Sequence, residues 1–448
     1  MEKKIWTYCR ELLAGKKFRE LREILSRENE VDLAEFLETL PIEQAVLAFR
    51  ALPKEQAAEV FSQLSPEFRH SIVDAATDHE LGEIVEELFV DDAVDILEEL
   101  PAGVASRMLR QARPETRKLL NQFLRYPEGS VGSIMTAEFA DLKKTDTARS
   151  AMERIRRIGA DCESIYTCYV TNESRVLEGV VTLRELLLAP EECTVEKIME
   201  RDVITARTTD DREQAVEAMM RYDFLALPVV DTENRLVGVV TVDDVMDVME
   251  EEATEDFEKM AAMAPSEKPY LKTGVFTLAR HRIMWLLVLM ISGMVTGGIL
   301  GRYEEAFAAL PLLVTFIPML TDTGGNAGSQ SSTLVIRGMA VGDIELSDFP
   351  RVLWKELRVS VVVGAALAAV NFVRLVIQYP GSHLICLTVT LALFATVVIA
   401  KTVGGVLPMA AKLIHADPAI MAAPLITTIV DALSLMIYFA IAKQLLPI

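Results

Sequence analysis

A chain of 448 residues with 51% hydrophobic content is too long for one domain and too apolar for an ordinary soluble protein. From His281 onward nine Asp and Glu face ten Lys and Arg, which leaves 57 acids against 35 bases, a net of −22, in residues 1–280. That acidity excludes nucleic acid as a partner and favours cations.

Cys9, Cys162, Cys168, Cys193 and Cys386 show neither metal-ligand spacing nor a disulfide framework. The first residues (KKIWTYCRELL) are charged and amphipathic, without the apolar core of a leader, so the hydrophilic part is expected in the cytosol.

Residues 1–130 are expected to form an all-α superhelical domain. Leu40, Leu52, Leu64, Leu88 and Leu100 fall on one twelve-residue register, with Ala76 and Ala112 filling the gaps. Each unit ends near a Pro that starts the next short helix, and helices this short bury a face only by stacking. Within the stack FVDDAVDILEEL sets Asp91 and Asp95 at i and i+4 on one face, which on local grounds reads as a solvated helix side.

Residues 131–250 hold a second repeat. LEGVVTLRELL (177–187) matches LVGVVTVDDVM (236–246), and each copy reads as strand, helix, two strands joined by a tight turn, then helix. The order of elements and the tandem G-V-V-T corner resemble a pair of CBS repeats, an α+β module. The resemblance implies a regulatory role and, where nucleotide binds, ATP or another adenosine nucleotide, with Thr241 and Asp244 on the G-x-x-T-x-x-D pattern used for ribose. A pair without nucleotide is an equal alternative.

Residues 244–280 form an acidic linking helix that leads toward the membrane. Asp244, Asp247, Glu251, Glu255 and Glu258 recur at steps of three and four, which is compatible with a hydrated face or with cation binding.

Residues 281–448 are expected to be an all-α membrane domain of five transmembrane helices, at about 283–301, 306–334, 352–377, 384–413 and 418–446. Arg280, His281 and Arg282 precede the first, Arg337, Arg351, Lys355 and Arg358 separate the second from the third, and Lys412 follows the fourth. These charges place the N-terminal domains in the cytosol and, after an odd number of spans, the C-terminus outside a cell membrane. The second span is expected to be irregular, because Pro311, Pro318, Gly324, Gly325 and Gly328 interrupt it. Its Asp322 and Asn326 offer hard oxygen, although its small residues would also suit helix packing. In the last span Asp431 sits mid-run, at a cost of about 3 kcal/mol or more for a charge at that depth. Thr427 and Thr428, one turn earlier, add oxygen. An interhelical hydrogen bond would explain the Asp, but a cation passage explains the oxygen groups around it too.

P-x-x-x-D-x-G-G-N-A-G-S-Q-S, the D-P-A at Asp417, and PLITTIVDALSLMIYF together resemble the MgtE family of magnesium channels, over essentially the whole chain. The resemblance implies a homodimer in the lipid bilayer whose second and fifth spans line a pore, with Asp431 as the central selectivity residue. It also implies regulatory Mg2+ sites between the N domain, the CBS pair and the linking helix that close the pore when Mg2+ is plentiful. Asp322 and Lys401 are charges that not every member carries. Mg2+ is a hard cation that keeps several waters, so oxygen groups suit it better than Cys or His. An exchanger coupled to Na+ or H+ is one alternative; a membrane-anchored nucleotide sensor is another, disfavoured by a carboxylate in mid-span and decided by uptake into liposomes. No nucleophile constellation, P-loop or metal-hydrolase motif is present, so no enzymatic activity is expected.

Overall fold

The computed structural model describes residues 2–266, 270–271, 273–304 and 310–446. They divide into two compact units, Met1–Met249 and Glu250–Ile448.

The first unit begins with ten helices, α1 (Glu2–Ala14), α2 (Phe18–Leu25), α3 (Glu30–Glu38), α4 (Ile42–Phe49), α5 (Lys54–Ser62), α6 (Pro66–Ala75), α7 (Asp78–Glu87), α8 (Val90–Glu99), α9 (Ala102–Gln111) and α10 (Pro114–Phe123). The twelve-residue register marks where these helices stop: Ala76, Leu88, Leu100 and Ala112 are all C-caps. Pro41, Pro53 and Pro101 occupy N-caps, while Pro66 and Pro114 open their helices. Alternate helices stack, α3 on α5, α5 on α7, α7 on α9 and α8 on α10, which buries Leu40, Leu52, Leu64 and Leu100 and half-buries Leu88.

Two three-stranded sheets follow. β1 (Phe139–Leu142) pairs parallel with β2 (Ser164–Thr171), which pairs antiparallel with β3 (Leu177–Thr182). β4 (Ala206–Arg207), β5 (Ala226–Val230) and β6 (Leu236–Thr241) repeat that order. The copies share turn chemistry: Asn172 Oδ1 and Asp231 Oδ1 each accept two backbone N–H bonds, and Arg175 and Asn234 both take left-handed φ. Leu177 N donates to Asn234 O and Leu236 N to Arg175 O, so the two turns close on each other as pseudo-twofold partners. The Gly of each G-V-V-T corner is needed because the lead-in chain crosses there. A Cβ on Gly179 would lie 2.7 Å from Glu200 O, and one on Gly238 2.7 Å from Thr136 O. The helices of this module are α11 (Ala148–Ile158), α12 (Leu183–Leu188), α13 (Val195–Ile198) and α14 (Arg212–Tyr222). The core of the helical stack, through Leu120 and Phe123, is continuous with Val131, Met135, Leu227, Val240 and Val245 of the second copy. α15 (Val242–Met260) leaves β6 as the linking helix.

The second unit contains α16 (Val275–Gly301), α17 (Ile317–Ala340), α18 (Phe349–Gln378), α19 (His383–Leu413) and α20 (Ala423–Leu445). Among the described residues four helices are long and apolar enough to cross a membrane, namely α16, α18 with the turn before it, α19 and α20. α17 is as long as they are, but its Asp, Asn, Gln and Ser keep it below that apolar threshold.

The structure corrects the expected irregularity of the second span. Part of the expected range, 305–309, lies outside the described residues. After a 3-10 turn at Pro311–Phe316, α17 runs unbroken through Gly324, Gly325 and Gly328, with Pro318 in its first turn where no N–H is required. The glycines are there for contact. A Cβ on Gly325 would lie 2.2 Å from Thr427 Cγ2, one on Gly328 2.7 Å from Ile426 Cγ2, and one on Gly404 2.2 Å from Gly328 O. Glycine costs a helix about 1 kcal/mol against Ala, and the close approach of α17 to α19 and α20 offsets it.

Candidate functional site

In the first unit a set of carboxylates converges where the helical stack meets the second CBS copy. α8 brings Asp91, Asp92 and Asp95, β2 is preceded by Glu163, and the start of α15 brings Asp243 and Asp244. The local expectation of a solvated face for Asp91 is overturned, since its side chain is 8% exposed. Burial, then Asp244, Asp92 and Glu163, hold the Asp91 carboxyl well above the usual range. Asp95 keeps solvent access but is pushed up to about 7, first by desolvation and then by Asp244 and Asp92. Glu163 rises to about 7 through desolvation, Asp243, Asp244 and Asp92. Asp244 rises to about 6 through desolvation, opposed by its bond from Thr241 and reinforced by Asp243. Each group is raised first by burial and then by the other carboxylates beside it. A divalent cation placed there would favour the ionised forms. Among the described residues no three His, Cys, Asp or Glu side chains approach closely enough to grip a bare metal.

Sequence reasoning found Asp91, Asp95 and Asp244 and missed Asp92, Asp243 and Glu163. Asp92 and Asp243 abut acids that it did single out. Glu163 sits alone in DCESIY, where only the folded strand order reveals its neighbours.

The remaining linking-helix acids share one face of α15 but differ in their surroundings. Asp247 and Glu251 are exposed. Glu258 Oε2 accepts from Ser266 N at 2.7 Å, which closes the turn after α15. Glu255 pairs with Lys259, whose Nζ also lies 2.6 Å from Asp417 Oδ2. The other oxygen of Asp417 caps the turn Pro418–Met421, accepting from Ala419 N at 2.8 Å. Both oxygens of Asp417 are thus engaged at the entrance to α20. Thr241 is 4% exposed, and its hydroxyl and N–H both donate to Asp244 Oδ2, so the ribose pattern is here internally bonded.

In the second unit α17 is two-faced. Gly324, Gly325, Ala327, Gly328, Ser331 and Ser332 are buried, whereas Asp322, Asn326 and Gln330, at steps of four, lie on the uncovered face. Asp431 of α20 is half-buried and near enough to Asp322 for the two carboxylates to repel. Thr427 Oγ1 donates to Ala423 O, and Thr428 Oγ1 donates to Pro424 O at 3.0 Å. With the proton committed to their own helix, both hydroxyls present lone pairs outward, which suits the water shell of a cation. Ser332 Oγ donates to Met421 O at 2.7 Å and ties α17 to the turn that starts α20.

Comparison with known proteins places these features in a family. A profile described as "Divalent cation transporter" (MgtE) matches residues 317–441, the MgtE intracellular N domain matches 28–129, and CBS domains match 131–192 and 195–251. The chain is 37% identical over 449 residues to the magnesium transporter MgtE of Thermus thermophilus, covering 100% of this chain and 99% of that protein. It is 32% identical to the Bacillus subtilis protein of the same name, over 96% and 95% of the two chains. Among solved structures, the cytosolic domain of the Mg2+ channel MgtE in complex with ATP is similar at 37% identity and TM-score 0.52, over 54% of this chain and 99% of that one. The soluble part of a magnesium transporter is similar at 27% identity and TM-score 0.55, over 56% of this chain and all of that one. The chain belongs to the MgtE family of magnesium transporters, with an MgtE N domain, a CBS pair and a helical C-terminal domain carrying several apolar helices.

Proposed function

We propose that this protein is a homodimeric Mg2+ channel that imports the ion across the cell membrane and is shut by cytosolic Mg2+. The observation that carries the reading is the pair Asp322 and Asp431, on two adjacent helices, α17 carrying its polar groups on an uncovered face. A second copy meeting the chain there would enclose the passage and cover the apolar surface of α16, which one chain leaves exposed. Two copies of Asp431 would face a hydrated Mg2+, with Asp322, Asn326, Thr427 and Thr428 contacting its waters. Asp417 would act at the mouth, where Lys259 now holds it. The N-terminal domains would lie in the cytosol and the C-terminus outside, an orientation that the basic residues flanking the helices support.

Closure would follow from the acidic cluster. A carboxylate pair 4 Å apart repels by up to ~4 kcal/mol at an effective dielectric of 20, and a bridging Mg2+ reverses the sign. A site that favours the closed form contributes about 0.8 kcal/mol at three times its Kd. Roughly six such sites approach the ~5.5 kcal/mol needed to move a 1:99 equilibrium to 99:1. Asp91, Asp95, Asp244, Asp247, Glu251, Glu255 and Glu258, with Asp92, Asp243 and Glu163, make at most five bridged pairs per chain, so that number needs both copies of the proposed dimer.

The solved relative with ATP supports an adenosine nucleotide at the CBS pair. Thr241 and Asp244 fit it if Asp244 turns its second oxygen to a ribose hydroxyl while keeping Thr241 on the first. Bound ATP would add negative charge near the cluster and tune its demand for cation.

Mg2+ uptake by proteoliposomes of the pure protein, measured against Mg2+ on the cytosolic side, tests this. Currents that persist without a counter-ion and fall as cytosolic Mg2+ rises support it. Uptake that requires a Na+ or proton gradient would establish the exchanger instead.

A further inference from the structure

Lys401 is the one buried cationic side chain among the described residues, at 5% exposure. It sits in the interior of α19, about twelve residues or 18 Å from the nearer end at Leu413, which is farther than a lysine stem can snorkel. A charge at that depth costs about 3 kcal/mol or more unless it is compensated. Among the described residues no carboxylate lies within ion-pair distance of its Nζ. The ammonium instead contacts Gln330 Oε1 at 3.3 Å and Ser331 Oγ at 3.5 Å, both on α17. Ser331 Oγ donates in turn to Glu356 Oε2 of α18 at 2.6 Å. One hydroxyl therefore stands between a buried ammonium and a half-buried carboxylate: α17 supplies both oxygens that touch the ammonium, and α18 supplies the carboxylate behind them.

The oxygens of Gln330, Ser331 and Glu356 are the kind that coordinate Na+, a hard monovalent ion. The cage borders the face that carries Asp322 and Asn326, since Gln330 belongs to both. We infer that Lys401 is a tethered counter-cation, which fills an oxygen cage that would otherwise take up Na+ beside the passage. The residue is thus specificity-determining: it keeps Glu356 neutralised without a mobile ion and so keeps Na+ from occupying a site alongside the permeating cation. This rests in part on the proposed Mg2+ conduction, but the binding claim stands apart from it.

The experiment uses the full-length protein in detergent micelles and in proteoliposomes. Wild type should melt at the same temperature in sodium chloride and in choline chloride of equal ionic strength. Lys401→Met vacates the cage, and sodium should then raise its melting temperature by about 3 °C over choline. Lys401→Arg keeps a cation in place and should show no sodium effect. Lys401→Met combined with Glu356→Gln removes both charges and should lose the effect again. Mg2+ uptake by Lys401→Met should fall as sodium replaces choline, while wild-type uptake should not. If Lys401→Met yields folded protein only in sodium, the inference is supported; if it folds in neither salt, or melts alike in both, the inference fails. A response to pH but not to sodium would assign Glu356 a proton in place of a metal ion and would also overturn it. Absence of Mg2+ uptake by wild type would refute the conduction reading alone, since the melting comparison needs no transport.

Discussion

Protons and Mg2+ should compete for the acidic cluster, and the structure sets the size of the effect. Asp95 and Glu163 are raised to about 7 and Asp244 to about 6. A carboxylate raised in the folded state binds more protons there than in the unfolded chain. Its stabilising contribution is present at acidic pH and is lost as pH rises through the folded value, here between pH 5 and 8. Without Mg2+, the first unit should therefore lose stability across that window as its acids ionise against one another. Mg2+ needs the ionised form. For a group with a value near 7, lowering pH from 8 to 6 reduces apparent affinity about tenfold, and for one near 6 about twofold. If the ion engages Asp95, Glu163 and Asp244 together, the midpoint should rise about two-hundredfold; if it engages only one of the first two, about tenfold. Protease protection of the full-length protein, titrated with Mg2+ at pH 6, 7 and 8, reads the midpoint, and a pH dye reads protons released near pH 6.5. Asp95→Asn should remove one factor of about ten from the pH dependence. A midpoint that moves less than about twofold, with no proton release, would refute the assignment of these carboxylates as the sensor.

Asp431→Ala should fold and insert, because it removes a costly intramembrane charge, yet lose Mg2+ flux in proteoliposomes; wild-type flux would remove Asp431 from the passage. Asp322→Asn should alter conductance or selectivity while leaving the Mg2+ midpoint for protection unchanged. Gly404→Ala puts a Cβ against the backbone of α17 and should cost about 1–3 kcal/mol, with a parallel loss of flux, by thermal melting and uptake. Combined neutralisation of Asp91, Asp95, Asp244 and Glu163 should leave the protein open at Mg2+ levels that shut wild type, judged by uptake against cytosolic-side Mg2+.

Much of the fold is legible because its repeats are written in residue types that have one structural use. The twelve-residue Leu register was readable since a Pro starts five of the ten helices and an apolar residue closes α6 to α9. The tandem G-V-V-T was readable since each Gly lies where another strand crosses too closely for a Cβ. Asp431 announced itself through the cost of a charge in an apolar run. Glu163 gave no such signal, because its meaning comes from β2 lying beside the start of α15, a juxtaposition of residues some 80 apart. Asp417 was visible in its motif, but the Lys259 ion pair that occupies it was not, since the two residues are far apart in sequence. The glycines of α17 were read as helix breakers from propensity alone, and tertiary contact overrode that propensity.

That override also explains why α17 can serve two purposes. A helix that lined a cation passage with large apolar residues on its other face would stand off from α20 by the width of those side chains. With Gly324, Gly325 and Gly328 on that face, α17 touches Val430, Thr427 and Ile426 directly, and Gly404 of α19 meets Gly328 backbone to backbone. Close approach brings Asp322 and Asp431 within range of each other, although they lie on different helices. Two carboxylates that repel gain most from an ion that neutralises both, and a divalent ion does so with one particle. The small residues and the charges of the motif are therefore one device: remove the glycines and the carboxylates separate, remove the carboxylates and the close packing no longer has charge to focus.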